Sequence, residues 1–131
     1  MVRKIPKLTE LELELMKIIW SDGKEISVGR IQSTLDEQGH PLALPSIRTM
    51  LGILQEKGFV SRRLSGKAYL YKAEIPAANY QSSFLKTLLE RAFDGSASGL
   101  VSALLSKDVV DEKELNKIKQ LIKDFDQEQK S

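Results

Sequence analysis

"LPSIRTMLGILQEKGFVSRRLSGKAYLY", residues 44–71, decides how this chain is read. Pro45 suits the first turn of a helix, where its missing N–H leaves no hydrogen bond unmade. Ile47, Met50, Leu51 and Leu54 recur at i, i+3, i+4 and i+7, the spacing of one buried helical stripe. Gly58 supplies the stop. The outward side then carries Ser46, Arg48, Thr49, Gly52 and Gln55. Two short strands are expected next, at about 59–63 and 67–73, with "LSGK" between them and Ser65-Gly66 as the tight turn. The stretch holds five basic residues, Arg48, Lys57, Arg62, Arg63 and Lys67, against one acidic residue, Glu56.

Working outward, "KLTELELELMKIIW" begins with a capping box, Thr9 at the N-cap and Glu12 three residues on. Leu8 and Leu13 form the hydrophobic staple around it, and a first helix is expected at about 10–20. "SDGKEI" reads as a turn with a short strand. Ser27 then caps a second helix at about 28–38, with Val28, Ile31 and Leu35 inward, ended by Gly39, His40 and Pro41. Three helices followed by a hairpin is the order of a winged helix-turn-helix domain.

Beyond "EIPAAN" the pattern changes. Tyr80, Phe84, Leu85, Leu88, Leu89, Ala92 and Phe93 form a broad apolar face on a fourth helix, and "LVSALLS" a short apolar one. The last helix repeats the earlier start device, with Asp111 as cap, Glu114 as box partner and Val110 with Leu115 as staple. Leu115, Ile118, Leu121, Ile122 and Phe125 share one of its faces. Three short helices cannot bury such faces among themselves, so a partner surface is expected, and an identical chain is the commonest choice. The expected joint comprises Phe84, Leu88, Leu89, Phe93, Leu100, Val101, Leu104, Leu105, Ile118, Leu121 and Ile122.

The fold class is therefore mostly α with a small β hairpin: a winged helix-turn-helix domain at 1–76 and a helical dimerisation segment at 77–131. The 131 residues suffice for one ordinary domain or two small ones. No cysteine is present, which excludes disulfides, thiolate metal sites and a cysteine nucleophile, and the single histidine, His40, cannot hold a metal alone. Neither a secretory leader nor a membrane span is read, and a reducing cytoplasm is the expectation. No Gly-rich phosphate loop occurs. Glu10 and Glu14 share a helical side but read as a solvated face. No enzyme, cofactor or metal is expected.

Charge narrows the partner. Net charge is only +2, yet residues 1–75 carry 12 Lys+Arg and 9 Asp+Glu, while 76–131 carry 8 and 9. A basic face on a near-neutral protein points to a polyanion. The major groove of DNA is about 12 Å wide and admits one helix. Ser46, Arg48 and Thr49 on the first turns of the third helix suit it. Gly52 costs roughly 1 kcal/mol in a helix interior and asks for a close backbone approach, to DNA or to another helix. Arg62, Arg63 and Lys67 stand near the hairpin tip, and Tyr69 could give its hydroxyl to a phosphate. The bland readings are that the charged hairpin is merely solvated, that Arg62 pairs with Glu56 or Glu74, and that Ser46 and Thr49 are only helix-start residues.

"LTELELELMKIIW", "SIRTMLGILQEKGFV", "GKAYLYKAEI" and "GLVSALLSKDVVDEKELNKIKQLI" together resemble the penicillinase-repressor (BlaI/MecI/CopY-type) family of bacterial transcriptional regulators, from about residue 8 to about 123. The resemblance implies a homodimer that binds a palindromic operator. It also implies Ser46, Arg48 and Thr49 as major-groove and phosphate residues, and Lys67 with its neighbours as wing contacts. In the antibiotic-responsive branch a membrane sensor leads to a cut in the dimerisation part. Two departures stand out. Pro45 replaces a lysine of some members, and Ala103-Leu104 stands where that branch has its Asn-Phe cleavage bond. The C-terminal cysteines of the copper-responsive branch are absent, which excludes copper sensing by that route.

The expected function is a homodimeric DNA-binding repressor on double-stranded operator DNA, with release by cleavage at Ala103-Leu104 through a sensor-linked protease. The rivals are a winged-helix regulator of another family with a small-molecule effector, and a protein-interaction module that binds no DNA.

Overall fold

The structure is a computed structural model and describes residues 4–106 and 108–130. It consists of α1 (Glu10–Asp22), β1 (Ile26–Ser27), α2 (Val28–Glu37), α3 (Leu44–Glu56), β2 (Val60–Ser65), β3 (Ala68–Ala73), α4 (Ala77–Ala92), α5 (Ala97–Leu105) and α6 (Glu112–Lys130). By contact density the chain divides into two compact units, Met1–Leu85 and Lys86–Ser131.

Local chemistry sets the helix ends of the first unit. The Thr9 hydroxyl accepts the Glu12 N–H, and the Glu12 carboxylate accepts the Thr9 N–H at 2.8 Å, closing the box read from sequence. Leu8 is buried in the core and Leu13 packs, partly buried, against that core. Ser27 caps α2 by accepting the Arg30 N–H. α3 ends in a Schellman motif: Phe59 N–H donates to Leu54 O, Gly58 N–H donates to Gln55 O, and Gly58 takes φ +86°. That motif turns the chain from α3 into β2 and drops Phe59 into the core.

The core of this unit is formed by Leu15, Met16 and Ile19 of α1, Ile31 and Leu35 of α2, Ile47, Leu51 and Leu54 of α3, and Phe59, all fully buried. Met50 and Trp20 pack at its edge. The Trp20 indole N–H donates to Ile75 O at 2.9 Å, fixing the exit of the sheet against α1.

The sheet has three antiparallel strands in the order β1-β3-β2, so β1 widens the expected hairpin by one short strand. Register runs from Val60↔Ala73 to Ser65↔Ala68. The two residues of the turn are thus Gly66 and Lys67, one position beyond the expected Ser65-Gly66. Gly66 takes φ +64° and Lys67 a negative φ, the pattern of a II′ turn that matches strand twist. Side chains alternate across the hairpin. Val60 and Tyr71, both buried, face the core, and the same face continues outward through Arg62, Leu64 and Tyr69, which are exposed.

Tyr80 corrects one expectation. Its ring does not belong to an unpartnered face of α4: it is buried in the first unit, 5.8 Å from Phe59 and 6.1 Å from Trp20 between ring centroids, and its hydroxyl accepts the Leu8 N–H.

In the second unit Ser96 caps α5 and Asp111 caps α6, whose Glu114 N–H donates to Asp111 at 2.8 Å. The Glu114 carboxylate pairs with Lys117 rather than returning to the cap, so the expected box is made on one side. No described residue of α5 or α6 is buried. Val101, Leu104, Leu105, Leu121, Ile122 and Phe125 are exposed large apolar side chains. Leu88, Leu89, Phe93, Leu100 and Ile118 are half-buried. Phe84, the first of the expected joint residues, lies in the first unit, is exposed, and stacks at 6.2 Å on Tyr80.

Candidate nucleic-acid interface

α3 offers a polar face next to its buried stripe because the apolar positions occupy only one side of the helix. Ser46, Arg48, Thr49 and Gly52 are all exposed on the other. Arg48 has no ion pair or hydrogen bond among the described residues, so its guanidinium is available. The Thr49 hydroxyl donates to Pro45 O at 3.0 Å, which fixes the hydroxyl on the helix's own backbone. A Cβ built on Gly52 meets nothing within 4 Å. No side chain or neighbouring helix of this chain therefore crowds Gly52.

Ile53 is a residue the sequence reading passed over. It is 40% exposed and follows Thr49 by four positions and Ser46 by seven, which puts it on the same face. An apolar side chain at such a place suits the methyl group of thymine. The signal was in the spacing: Ile53 falls outside the stripe of Ile47, Met50, Leu51 and Leu54.

The five cations of the quoted stretch divide into two groups. Lys57 turns inward, its Nζ 2.7 Å from Glu12 and 3.2 Å from Lys7 O. Arg63 donates through Nε to Glu25 at 2.6 Å, which ties β2 to the α1–β1 turn. Arg48, Arg62 and Lys67 carry no carboxylate partner among the described residues. Arg62 pairs with neither Glu56 nor Glu74; its guanidinium lies 3.9 Å from the centre of the Tyr69 ring. The neighbouring Tyr71, aided by Tyr69, holds that guanidinium above its ordinary pKa. Glu74 is engaged by the Ser61 hydroxyl. Tyr69 is 40% exposed, and Lys67 stands exposed in the turn itself.

Glu12 shows how far the inward pair is built into the fold. It is the one buried charged residue among those described. Burial opposes its ionisation. The hydrogen bond from Lys57, the bonds from Thr9 and the Lys57 charge outweigh that, and the carboxyl is held below its ordinary pKa.

Among the described residues no cluster of His, Asp and Glu is arranged to hold a metal, and no helix is long and apolar enough to cross a membrane. An open groove of about 940 Å³ lies between Trp20, Glu25, Arg63, Leu70 and Lys72. Ala103 and Leu104 sit exposed in the last turn of α5.

The penicillinase repressor family matches residues 8–124, nearly the whole chain. The chain belongs to this family. Among relatives, the penicillinase repressor of Bacillus licheniformis is 26% identical over 123 residues, spanning 94% of each chain. The methicillin resistance regulatory protein MecI of Mammaliicoccus sciuri is 23% identical over 122 residues, covering 93% of this chain and 98% of that one. Among solved structures, the DNA binding domain of the repressor BlaI superposes with a TM-score of 0.51 at 29% identity, covering 60% of this chain and 94% of that domain. That likeness accounts for the winged-helix architecture described above.

Proposed function

We propose that this member of the penicillinase repressor family is a DNA-binding transcriptional repressor that acts as a homodimer on a palindromic operator. The observation that carries the reading is the outward face of α3. Arg48 has no internal partner, Gly52 faces open space, and Ser46, Thr49 and Ile53 flank them. α3 enters the major groove by its first turns, with Ser46 and Arg48 toward phosphate and base edges and Thr49 and Ile53 toward thymine methyls. The wing adds Arg62, Lys67 and Tyr69 on the neighbouring backbone. Arg63, held by Glu25, has a smaller share in it.

Two reading heads must be held about 34–36 Å apart to meet half-sites one helical turn from each other. The exposed apolar side chains of α5 and α6 support a second copy as what covers them. In this reading residues 1–76 are the head and 77–131 the joint, with Tyr80 anchoring the start of α4 in the head's core. Release follows a cut at Ala103–Leu104 by a sensor-linked protease. The end of a helix opens at low cost, because its last carbonyls lack helical partners.

A salt titration of binding to duplex DNA tests the proposal. A dimer making several phosphate contacts loses about 10³-fold or more in affinity between 50 and 200 mM salt. Recovery of no duplex by the protein from a random-sequence pool would refute it.

A further inference from the structure

The hairpin carries three aligned facts. The face of β2 and β3 that seats Val60 and Tyr71 in the core continues past the core's edge as Arg62, Leu64 and Tyr69. Arg62, though exposed, places its guanidinium carbon over the Tyr69 ring, 3.9 Å from the ring centre. Leu64 is the cross-strand partner of Tyr69 and is 61% exposed, so the ring has an aliphatic neighbour on the strand opposite.

We propose that Tyr69 is a positioning residue: its ring is a platform that holds the Arg62 guanidinium in one orientation for the DNA backbone. The inference rests on the DNA-binding reading above and assigns Tyr69 a role different from a direct phosphate donor. A free arginine side chain samples many rotamers, and ordering it on binding costs about 0.5–1.5 kcal/mol. A stacked guanidinium has already given up that freedom. Stacking occupies only the faces of the planar group and leaves N–H edges free to donate to a phosphate oxygen. A lysine in place of Arg62 keeps the charge but lacks the flat group that stacks.

The test is a double-mutant cycle on the intact protein, using the duplex that wild type recovers from a random-sequence pool. Tyr69→Phe keeps the platform and binds within about twofold of wild type. Tyr69→Leu removes the aromatic face from both wings and weakens binding about fivefold to thirtyfold, the range expected of two exposed cation–π pairs. In the Arg62→Ala background Tyr69→Leu has no further effect, and Arg62→Ala lowers the salt slope by about two, one phosphate contact for each wing of the dimer. Arg62→Lys does not restore wild-type affinity. A Tyr69→Phe protein as weak as Tyr69→Leu would overturn the platform in favour of a hydroxyl contact. So would an equal loss from Tyr69→Leu with and without Arg62. Arg48→Ala serves as the reference. If it weakens binding while the Tyr69 variants do not, the positioning role alone fails. If Arg48→Ala, Arg62→Ala and wild type bind alike, the placement of the DNA contact on α3 and the wing falls with it, and recovery of no duplex from the pool would overturn the DNA-binding reading itself.

Discussion

Lys57, the residue that ends α3, places its ammonium 2.7 Å from the buried carboxylate of Glu12 in the first turn of α1. The same carboxylate closes the capping box with Thr9. One side chain thus caps a helix and pins the end of the proposed reading helix to it. The pair fixes where α3 ends relative to α1 without using any group on the outward face.

This arrangement predicts an acid-sensitive fold. The Glu12 carboxyl is held below its ordinary value, so it binds a proton less readily when folded than when unfolded. Its contribution is complete above the ordinary glutamate pKa of about 4.3 and is lost as pH falls through the lower folded value. Urea denaturation from pH 3 to 7 should show stability falling at the acid end. Glu12→Gln should flatten that dependence. Lys57→Ala leaves a buried carboxylate without its cation and should cost about 2 kcal/mol near pH 7.

Gly52 separates stability from binding. A Cβ there meets nothing within 4 Å, and the backbone is helical. Gly52→Ala should therefore stabilise the isolated protein by about 0.5–1 kcal/mol, seen as a raised denaturation midpoint. The added methyl group stands where α3 approaches DNA in the proposed complex. Operator affinity should fall in the same variant that gains stability, and a gain in both would remove close approach as the reason for the glycine.

Arg48 should show the opposite profile. It is exposed and without an internal partner, so Arg48→Ala should leave the denaturation midpoint within about 0.5 kcal/mol of wild type. Its loss should cost about 1–3 kcal/mol in operator binding. Ile53→Ser should also leave the fold intact and should weaken binding mainly to duplexes with thymine opposite that position, which a comparison of T-to-C substituted duplexes would show.

These contrasts indicate what the sequence could carry. Thr9 with Glu12, Ser27, Gly58 and the Ile47–Leu54 stripe are decided by residues within a few positions of each other, so their chemistry was legible in order along the chain. Lys57 with Glu12 and Arg63 with Glu25 join residues 45 and 38 positions apart. Charge counting along the chain placed both cations on a basic face, whereas folding turned one inward and paired the other. Arg62 went the other way: two nearby carboxylates were candidate partners, but strand register set it diagonally over Tyr69. Tyr80 looked like one more apolar position on α4, because nothing local to it announces a bond to the N–H of Leu8, 72 residues away.

Tyr80 gives the last prediction, on where the chain can be divided. A fragment ending at residue 76 keeps all of α1 to β3 yet lacks the ring that packs on Phe59 and Trp20 and accepts the Leu8 N–H. Loss of a buried aromatic of this kind costs about 3–5 kcal/mol, a large part of the stability of a small domain. A fragment of residues 1–85 retains it. The longer fragment should unfold cooperatively in urea, and the shorter one should be largely unfolded or shifted to a much lower midpoint. Lacking α5 and α6, the 1–85 fragment should sediment as a monomer and bind a full palindromic duplex about 10²–10⁴-fold more weakly than the intact chain, the avidity that linkage supplies. Equal affinity of fragment and intact chain would mean that the heads read DNA without being joined, and the exposed apolar faces of α5 and α6 would then need another occupant.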